Sequence, residues 1–298
     1  MTIPYIRQFE FTYGQAEKIS PYVRRLVANN PGPFTAWGTN VYLVGSGELV
    51  VIDPGPDTDQ HFETLLKAIK PAKVSAVFVT HHHMDHSPMA PRLAAHFGCK
   101  THGFGSSKRN KNDDTDQLEA GVDTRFCPDI RVRDGQVFTG DTWQIKCIHT
   151  PGHTSNHMCY LVEPDNGLIC GDHVMAWATS VVLPPDGNMR DYLASLAKVQ
   201  HLHPAALWPG HGPAVTDVQP FLTAYIQHRA MRDAQILAQL QQGQNKIKQM
   251  VKNIYTDIDP RLYPAAGYSV LAHLIGLAET GQVKCSKTPT INSRFDLV

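Results

Sequence analysis

The chain has 298 residues, 42% of them apolar and 18% charged, which excludes a disordered polymer and leaves room for about two domains. Lys plus Arg and Asp plus Glu are equal at 27 each, so net charge advertises neither a nucleic acid nor a membrane surface. No run approaches the ~18 uninterrupted apolar residues of a membrane span, and the amino terminus lacks the apolar stretch and cleavage site of a secretory signal. The six cysteines are never closer than eleven residues, which removes CxxC metal and redox motifs and suggests reduced thiols in a cytoplasmic protein.

From residue 35 to 211 the pattern alternates short β-rich runs with turns. Residues 40–44 and 48–52 read as strands joined by Gly45-Ser46-Gly47, the second stopped by Asp53-Pro54-Gly55. A helix is expected over 59–69 and a buried strand over 74–80. Ser87 and Pro88 look like the cap and first residue of a helix that Gly98 closes. Residues 105–125 are polar and charged and read as a solvated loop or a lid. Further strands are expected at 130–132, 143–149, 157–162, 168–170 and 205–208, with a helix over 190–200. Beyond Pro220 the character changes, with three helices over 221–242, 246–256 and 269–279 and a closing strand at 281–284. Residues 221–298 hold nine Lys/Arg against five Asp/Glu, a net +4 that leaves −4 for the rest of a neutral chain. This divides the protein into domains at 1–218 and 219–298.

The unusual count is sixteen histidines, four of them within residues 81–86, His81-His82-His83-Met84-Asp85-His86. In an extended chain, side chains two apart share a direction, so His81 and His83 can grip one ion while His82 points away. A turn after His83 directs Asp85 and His86 to a second position nearby. Three further candidates follow strand ends and a glycine: Gly152-His153, Gly171-Asp172 and Gly210-His211. Each alone is an ordinary turn. In this order after HxHxDH they form a strong metal signal, and imidazole with carboxylate suits zinc, with iron and manganese as competitors.

With these motifs the chain resembles the metallo-β-lactamase-fold hydrolase superfamily over roughly residues 20–215. The resemblance implies an α+β fold, an αββα sandwich with two Zn²⁺ ions (Mn²⁺ or Fe²⁺ as alternatives) at one edge of paired sheets. It implies that His81, His83 and His153 hold the first metal, that Asp85, His86 and His211 hold the second, and that Asp172 bridges them. Asp53 matches the first motif, whose carboxylate orients the ligand loop from behind. The implied chemistry is hydrolysis by a metal-bridging hydroxide, with Asp172 and Asp85 as the catalytic carboxylates and Asp85 handling a proton. Zinc lowers the pKa of water to about 7. His173, Met189 and Tyr192 are candidates to line a substrate channel, whereas His82, His149 and His157 read as packing groups.

One such site serves many substrates. The short Asp172–His211 interval leaves no space for the inserted domain of β-CASP nucleases, and the tail lacks the basic arrangement with which glyoxalase II holds glutathione. Tyr225-Ile226-Gln227-His228-Arg229, Arg232, Gln235 and Ile236 are similar instead to the winged-helix extension of one subgroup, which includes an endoribonuclease and glyoxalase-II-like hydrolases. That resemblance implies metal-dependent cleavage of single-stranded RNA, with Lys246, Lys248, Lys252, Lys284 and Lys287 as a basic face. The alternative is a thioesterase or lactonase acting on a small acyl substrate, with a tail that walls the site or forms a homodimer.

Overall fold

The computed structural model describes residues 2–106, 121–163, 165–257 and 259–298. Seven strands lie in one sheet in chain order: β1 (Glu17–Lys18), β2 (Val23–Val27), β3 (Asn40–Ser46), β4 (Glu48–Ile52), β5 (Lys73–Phe78), β6 (Lys100–Gly103) and β7 (Ile130–Arg131). Strands β4, β5 and β6 are parallel, so each link must cross the sheet, through α1 (Asp59–Ile69) and α2 (Ala90–Phe97). The second sheet runs β12-β11-β10-β9-β8, from β8 (Val137–Thr139), β9 (Gln144–His149), β10 (Met158–Glu163), β11 (Gly167–Gly171) and β12 (Ala206–Pro209).

Period-2 alternation decides the layering. Val44, Val50, Ile52 and Phe78 face Ile145, Tyr160, Val162 and Ile169 between the sheets. Their neighbours Leu43, Leu49, Val51 and Val77 turn outward to Leu65, Ile69 and Leu93 of α1 and α2. On the far side Cys159, Leu161, Leu168 and Leu207 meet Tyr192, Leu196 and Val199 of α3 (Met189–His201) and Phe221, Leu222 and Tyr225 of α4 (Val218–Gln241). The result is helix, sheet, sheet, helix, followed by α5 (Ile247–Ile254), a 3₁₀ turn at Pro260–Leu262, α6 (Tyr263–Glu279) and the ribbon of β13 (Val283–Lys284) and β14 (Asp296–Leu297).

Several boundaries differ from those expected. Helix α2 begins at Ala90, with Met89 at its cap and no capping side chain. The Ser87 hydroxyl is used elsewhere, donating to Asp123 Oδ2 at 3.0 Å, so it pins a loop instead of a helix. Helix α6 starts six residues before its expected start because Pro264 falls in its first turn, where a missing N–H costs nothing. The expected domain boundary coincides with the first residues of α4, whose apolar side chains divide between two cores: Phe221 and Tyr225 in one, Ile236 and Leu240 in that of the C-terminal unit. Most of the 105–125 stretch lies outside the described residues. Its described end is fastened to the histidine loop through Met84 N–H to Gly121 O and Asp123 N–H to His82 O.

No described helix is long and apolar enough to cross a membrane, and all six cysteines are free thiols.

Candidate metal centre

Strands β9, β11 and β12 all run antiparallel to β10 or parallel to one another, so their carboxy ends emerge at one edge of the second sheet. That edge meets the end of β5 across the sandwich. Tyr160 Oη donates to Val79 O at 2.7 Å, Tyr42 Oη to Pro209 O at 2.6 Å, and Asn40 Nδ2 to both Pro209 O and Gly212 O at 2.9 Å. The histidine loop and the three Gly-ligand turns are thereby fixed around one point. Close approach requires the glycines. A Cβ on Gly152 would strike the backbone and Cβ of Tyr192, and one on Gly210 would strike Asp172 Oδ1 and His86 Cε1.

His81, His83, His153 and Asp172 present donor atoms within 4.8 Å of one another, and so do Asp85, His86 and His211. Asp172 lies between the groups. Its Oδ2 is 4.0 Å from His81 Nε2 and 3.8 Å from His153 Nε2, while its Oδ1 is 3.5 Å from both His86 Nε2 and His211 Nε2. Asp85 Oδ2 is 3.1 Å from His211 Nε2 and 3.3 Å from His86 Nε2.

The outer nitrogens determine what the inner ones can do. Thr80 Oγ1 spends its proton on Asp53 Oδ2 at 2.6 Å, so it accepts from His81 Nδ1 at 2.9 Å. His153 Nδ1 donates to Val181 O at 2.7 Å, His211 Nδ1 to Gly38 O at 3.1 Å, and His86 Nδ1 to Asp53 Oδ2 at 2.8 Å. Four imidazoles are thus held with Nε2 as the inward, lone-pair nitrogen, the arrangement metal-ligating histidines adopt. His86 Nε2 and His211 Nε2 face each other at 3.3 Å, and His81 Nε2 faces His83 Nδ1 at 3.0 Å. The two lone pairs at His86 and His211 require a cation between them, proton or metal, whereas His83 Nδ1 can meet His81 Nε2 as donor in its neutral form. Asp85 Oδ1 and Asp172 Oδ1 are buried without a hydrogen bond, which adds to the same demand.

Protonation tells the same story. Burial, then the neighbouring histidines, hold His81 far below its ordinary range and keep it neutral. Burial also opposes charge on His211, but Asp172 and Asp85 outweigh it and hold that group up at about 9. Two carboxylates therefore secure a cation at this end, as protons or as metal. The donor chemistry fits divalent metal ions.

Asp53 sits behind the loop with φ 51, its Oδ1 accepting from Thr80 N–H at 2.7 Å. His157 Nε2 accepts from the Asp172 N–H at 3.2 Å and its Nδ1 meets Thr150 Oγ1 at 2.9 Å, so it steadies the central carboxylate from behind. His82 faces Asn156 Oδ1 at 2.7 Å, and His149 stacks on Phe104 at 3.9 Å. A cavity of about 360 Å³ opens over the donors, walled by Pro33, Phe34, Met175, Trp177, Val181 and Leu262. His173, Met189 and Tyr192 are not among its lining residues. All three are buried, with Tyr192 Oη donating to His173 O at 2.8 Å.

Sequence reasoning missed Thr80, Gly38 and Val181. Two of these act through backbone carbonyls, which carry no residue signature, while Thr80 is marked only by its place between strand and histidines.

Comparison with known proteins agrees with this geometry. The family model described as the metallo-β-lactamase superfamily matches residues 34–211, and that of the β-lactamase-associated winged helix domain matches residues 247–288. A β-lactamase-like protein 2 homolog of Drosophila melanogaster is 31% identical over 285 residues, covering 91% of this chain and 92% of its own. An atrochrysone carboxyl ACP thioesterase of Aspergillus chevalieri is 30% identical over 233 residues, 77% of this chain and 69% of its own. The crystal structure of a β-lactamase domain protein from Burkholderia ambifaria shares the fold with a TM-score of 0.78 at 19% identity, covering 100% of this chain and 97% of that one.

Proposed function

The chain belongs to the metallo-β-lactamase superfamily and is a metal-dependent hydrolase; from that premise we propose that it cleaves a small apolar acyl substrate, a thioester or ester, rather than RNA. The observation that carries this reading is the wall of the cavity over the donors, built from proline, aromatic, Met, Val and Leu side chains with no Lys or Arg among the described residues. A polyanion tracked through a cleft needs cations beside its phosphates. Lys246, Lys248, Lys252, Lys284 and Lys287 are exposed on the C-terminal unit, and none of them lines this cavity. An acyl chain, by contrast, gains from burial against such a surface at roughly 25 cal/mol per Å². The thioesterase named among the relatives supports the same class.

Five imidazoles and two carboxylates suit a pair of Zn²⁺ ions, with Mn²⁺ or Fe²⁺ as competitors. When bound, such ions supply Lewis acidity toward an acyl carbonyl and lower the pKa of water. The protein's own groups do the rest. Asp172 spans the two halves of the site and fixes their separation. The apolar wall excludes bulk water around the scissile bond and orients the acyl chain. Asp85 is one of the two carboxylates that line the cavity and has an oxygen, Oδ1, without a hydrogen bond, so it is assigned the transfer of the proton from the attacking water to the departing thiol or alcohol.

The test compares hydrolysis of S-hexanoyl-N-acetylcysteamine with cleavage of an end-labelled single-stranded RNA by the same zinc- or manganese-loaded preparation. Thioester cleavage that disappears in Asp172→Ala is the expected result. RNA cleavage lost in that variant, with the thioester intact, replaces this reading with a nuclease.

A further inference from the structure

Arg229 stands on α4 four residues after Tyr225 and is 4% exposed. Its Nη2 donates to Ser180 O at 2.5 Å and its guanidinium lies 5.2 Å from the Tyr192 ring centroid. No carboxylate pairs with it among the described residues, and its Nε is buried without a hydrogen bond. A guanidinium keeps its proton, so a full charge sits inside the protein with a carbonyl and the Tyr192 side chain as partners and no carboxylate against it among the described residues. Its charged neighbour, Arg232, stacks on Tyr255 at 4.0 Å and adds to the positive field.

Arg229, Tyr255 and Ser269 line a cavity of about 250 Å³ between the 179–183 segment and the C-terminal unit. This cavity shares Phe34, Thr179, Val181 and Leu262 with the one over the metal donors, so the two are compartments of one cleft. The link is close. Arg229 donates to the carbonyl of Ser180, and His153 Nδ1 to the next carbonyl, that of Val181, at 2.7 Å. Consecutive Cα atoms are only about 3.8 Å apart, so one step of backbone separates the support of a metal-ligating imidazole from that of the buried cation.

We propose that Arg229 is the anion-recognition residue of this cleft, taking a single carboxylate or phosphate carried by the substrate away from its scissile bond. The identity of the scissile bond rests on the acyl-hydrolase reading above; the anion does not. A single buried cation in an apolar cleft selects one terminal anion and rejects a chain of phosphates. It also discriminates, because a neutral analogue leaves the guanidinium without an anion and its Nε without an acceptor.

The experiment uses the metal-loaded full-length protein and three thioesters of matched acyl length: S-hexanoyl-N-acetylcysteamine, its ω-carboxy counterpart S-adipoyl-N-acetylcysteamine, and S-hexanoyl-4′-phosphopantetheine. One of the two anionic substrates is expected to exceed the neutral one in kcat/KM by about tenfold or more. Whichever it is tells whether the anion sits on the acyl or the thiol side. In Arg229→Gln that ratio falls to near one, and Arg229→Lys restores part of it. Because the ratio is taken within one preparation, a smaller folded fraction cancels. No preference in the wild type, or a preference that Arg229→Gln retains, overturns the proposal. If no thioester is cleaved, the acyl-hydrolase reading fails by itself. Calorimetric titration with adipamate and with phosphopantetheine then decides: at least tenfold weaker binding of one of them to Arg229→Gln upholds the anion site, and equal affinities for both reject it.

Discussion

Asp53 holds a left-handed backbone conformation, φ 51, that costs most side chains about 1–3 kcal/mol. Asp tolerates it better than most, and here its carboxylate collects Thr80 N–H, Thr80 Oγ1–H and His86 Nδ1–H. The strained residue therefore sets the orientation of two imidazoles at once, His86 directly and His81 through Thr80. Asp53→Ala is expected to weaken metal binding by about 10–100-fold, measured by competition against a chromophoric chelator, while the seven donors themselves stay in place. Unchanged affinity would mean that the backbone alone positions the loop. At this scale the chain was highly legible: all seven residues marked by their place after strands and glycines meet around one point. His173 is expected at a cleft because it follows Asp172, and Met189 and Tyr192 because they lie between Asp172 and His211; all three are buried and none lines the cavity over the donors. Nearness along the chain does not tell which side of a strand end faces solvent.

Among the elements, α4 contributes most to the cleft that propensity could not show. Tyr225 Oη accepts from Met175 N–H at 3.2 Å and reaches Met175 O and Ala178 O at 2.7 and 2.5 Å, and Arg229 one turn later reaches Ser180 O. Two side chains at i and i+4 thus hold the 175–180 segment that carries Trp177 and Thr179 into the cavity wall. Tyr225→Phe leaves buried backbone groups unsatisfied and should cost about 1–3 kcal/mol in denaturant titration, with a fall in kcat/KM larger than the loss of folded protein explains. On the same helix, burial first, then Arg229 and Arg232, push His228 down to about 4. Its folded pKa lies below the unfolded value of 6.5, so the unfolded chain binds the extra proton and stability is lost as pH falls from about 6.5 toward 4. His228→Gln should flatten the acid limb of a plot of melting temperature against pH in that window. An unaltered limb would assign the acid sensitivity to other buried histidines. Strands β2 and β6 escaped the sequence reading because their composition hides them. Arg24 and Arg25 interrupt the first, although Arg25 is buried with its guanidinium 3.0 Å from Glu17 and 4.4 Å from the ring centroid of Phe9. The second is Lys100-Thr-His-Gly103, polar by type and covered by its neighbours.

For the whole molecule, the alternation of strands and helices followed from periodicity, the helical tail from its helical spacing and the charge split, and the αββα sandwich from the family resemblance, but the way the two units join did not. Helix α4 reads as the first element of the tail, yet its first half completes the core beneath β10, β11 and β12, and its second half is a wall of the C-terminal core. Asn188 Nδ2 donates to Glu279 Oε1 at 3.0 Å across the same junction. Such sharing makes the two units unfold together: scanning calorimetry of the full chain should give one transition whose calorimetric and van't Hoff enthalpies agree. Two resolved transitions would show that α4 divides its allegiance without coupling them.

Leu262 and Arg229 lie downstream of every metal donor, and synthesis delivers the chain from its amino end at roughly 5–20 residues per second. The donor residues are therefore synthesised before Leu262 and Arg229, but the core that α4 completes beneath their strands comes later in the chain than any of them. On the single-transition expectation, donor set and cleft wall are completed in one folding event, however far apart they lie along the chain.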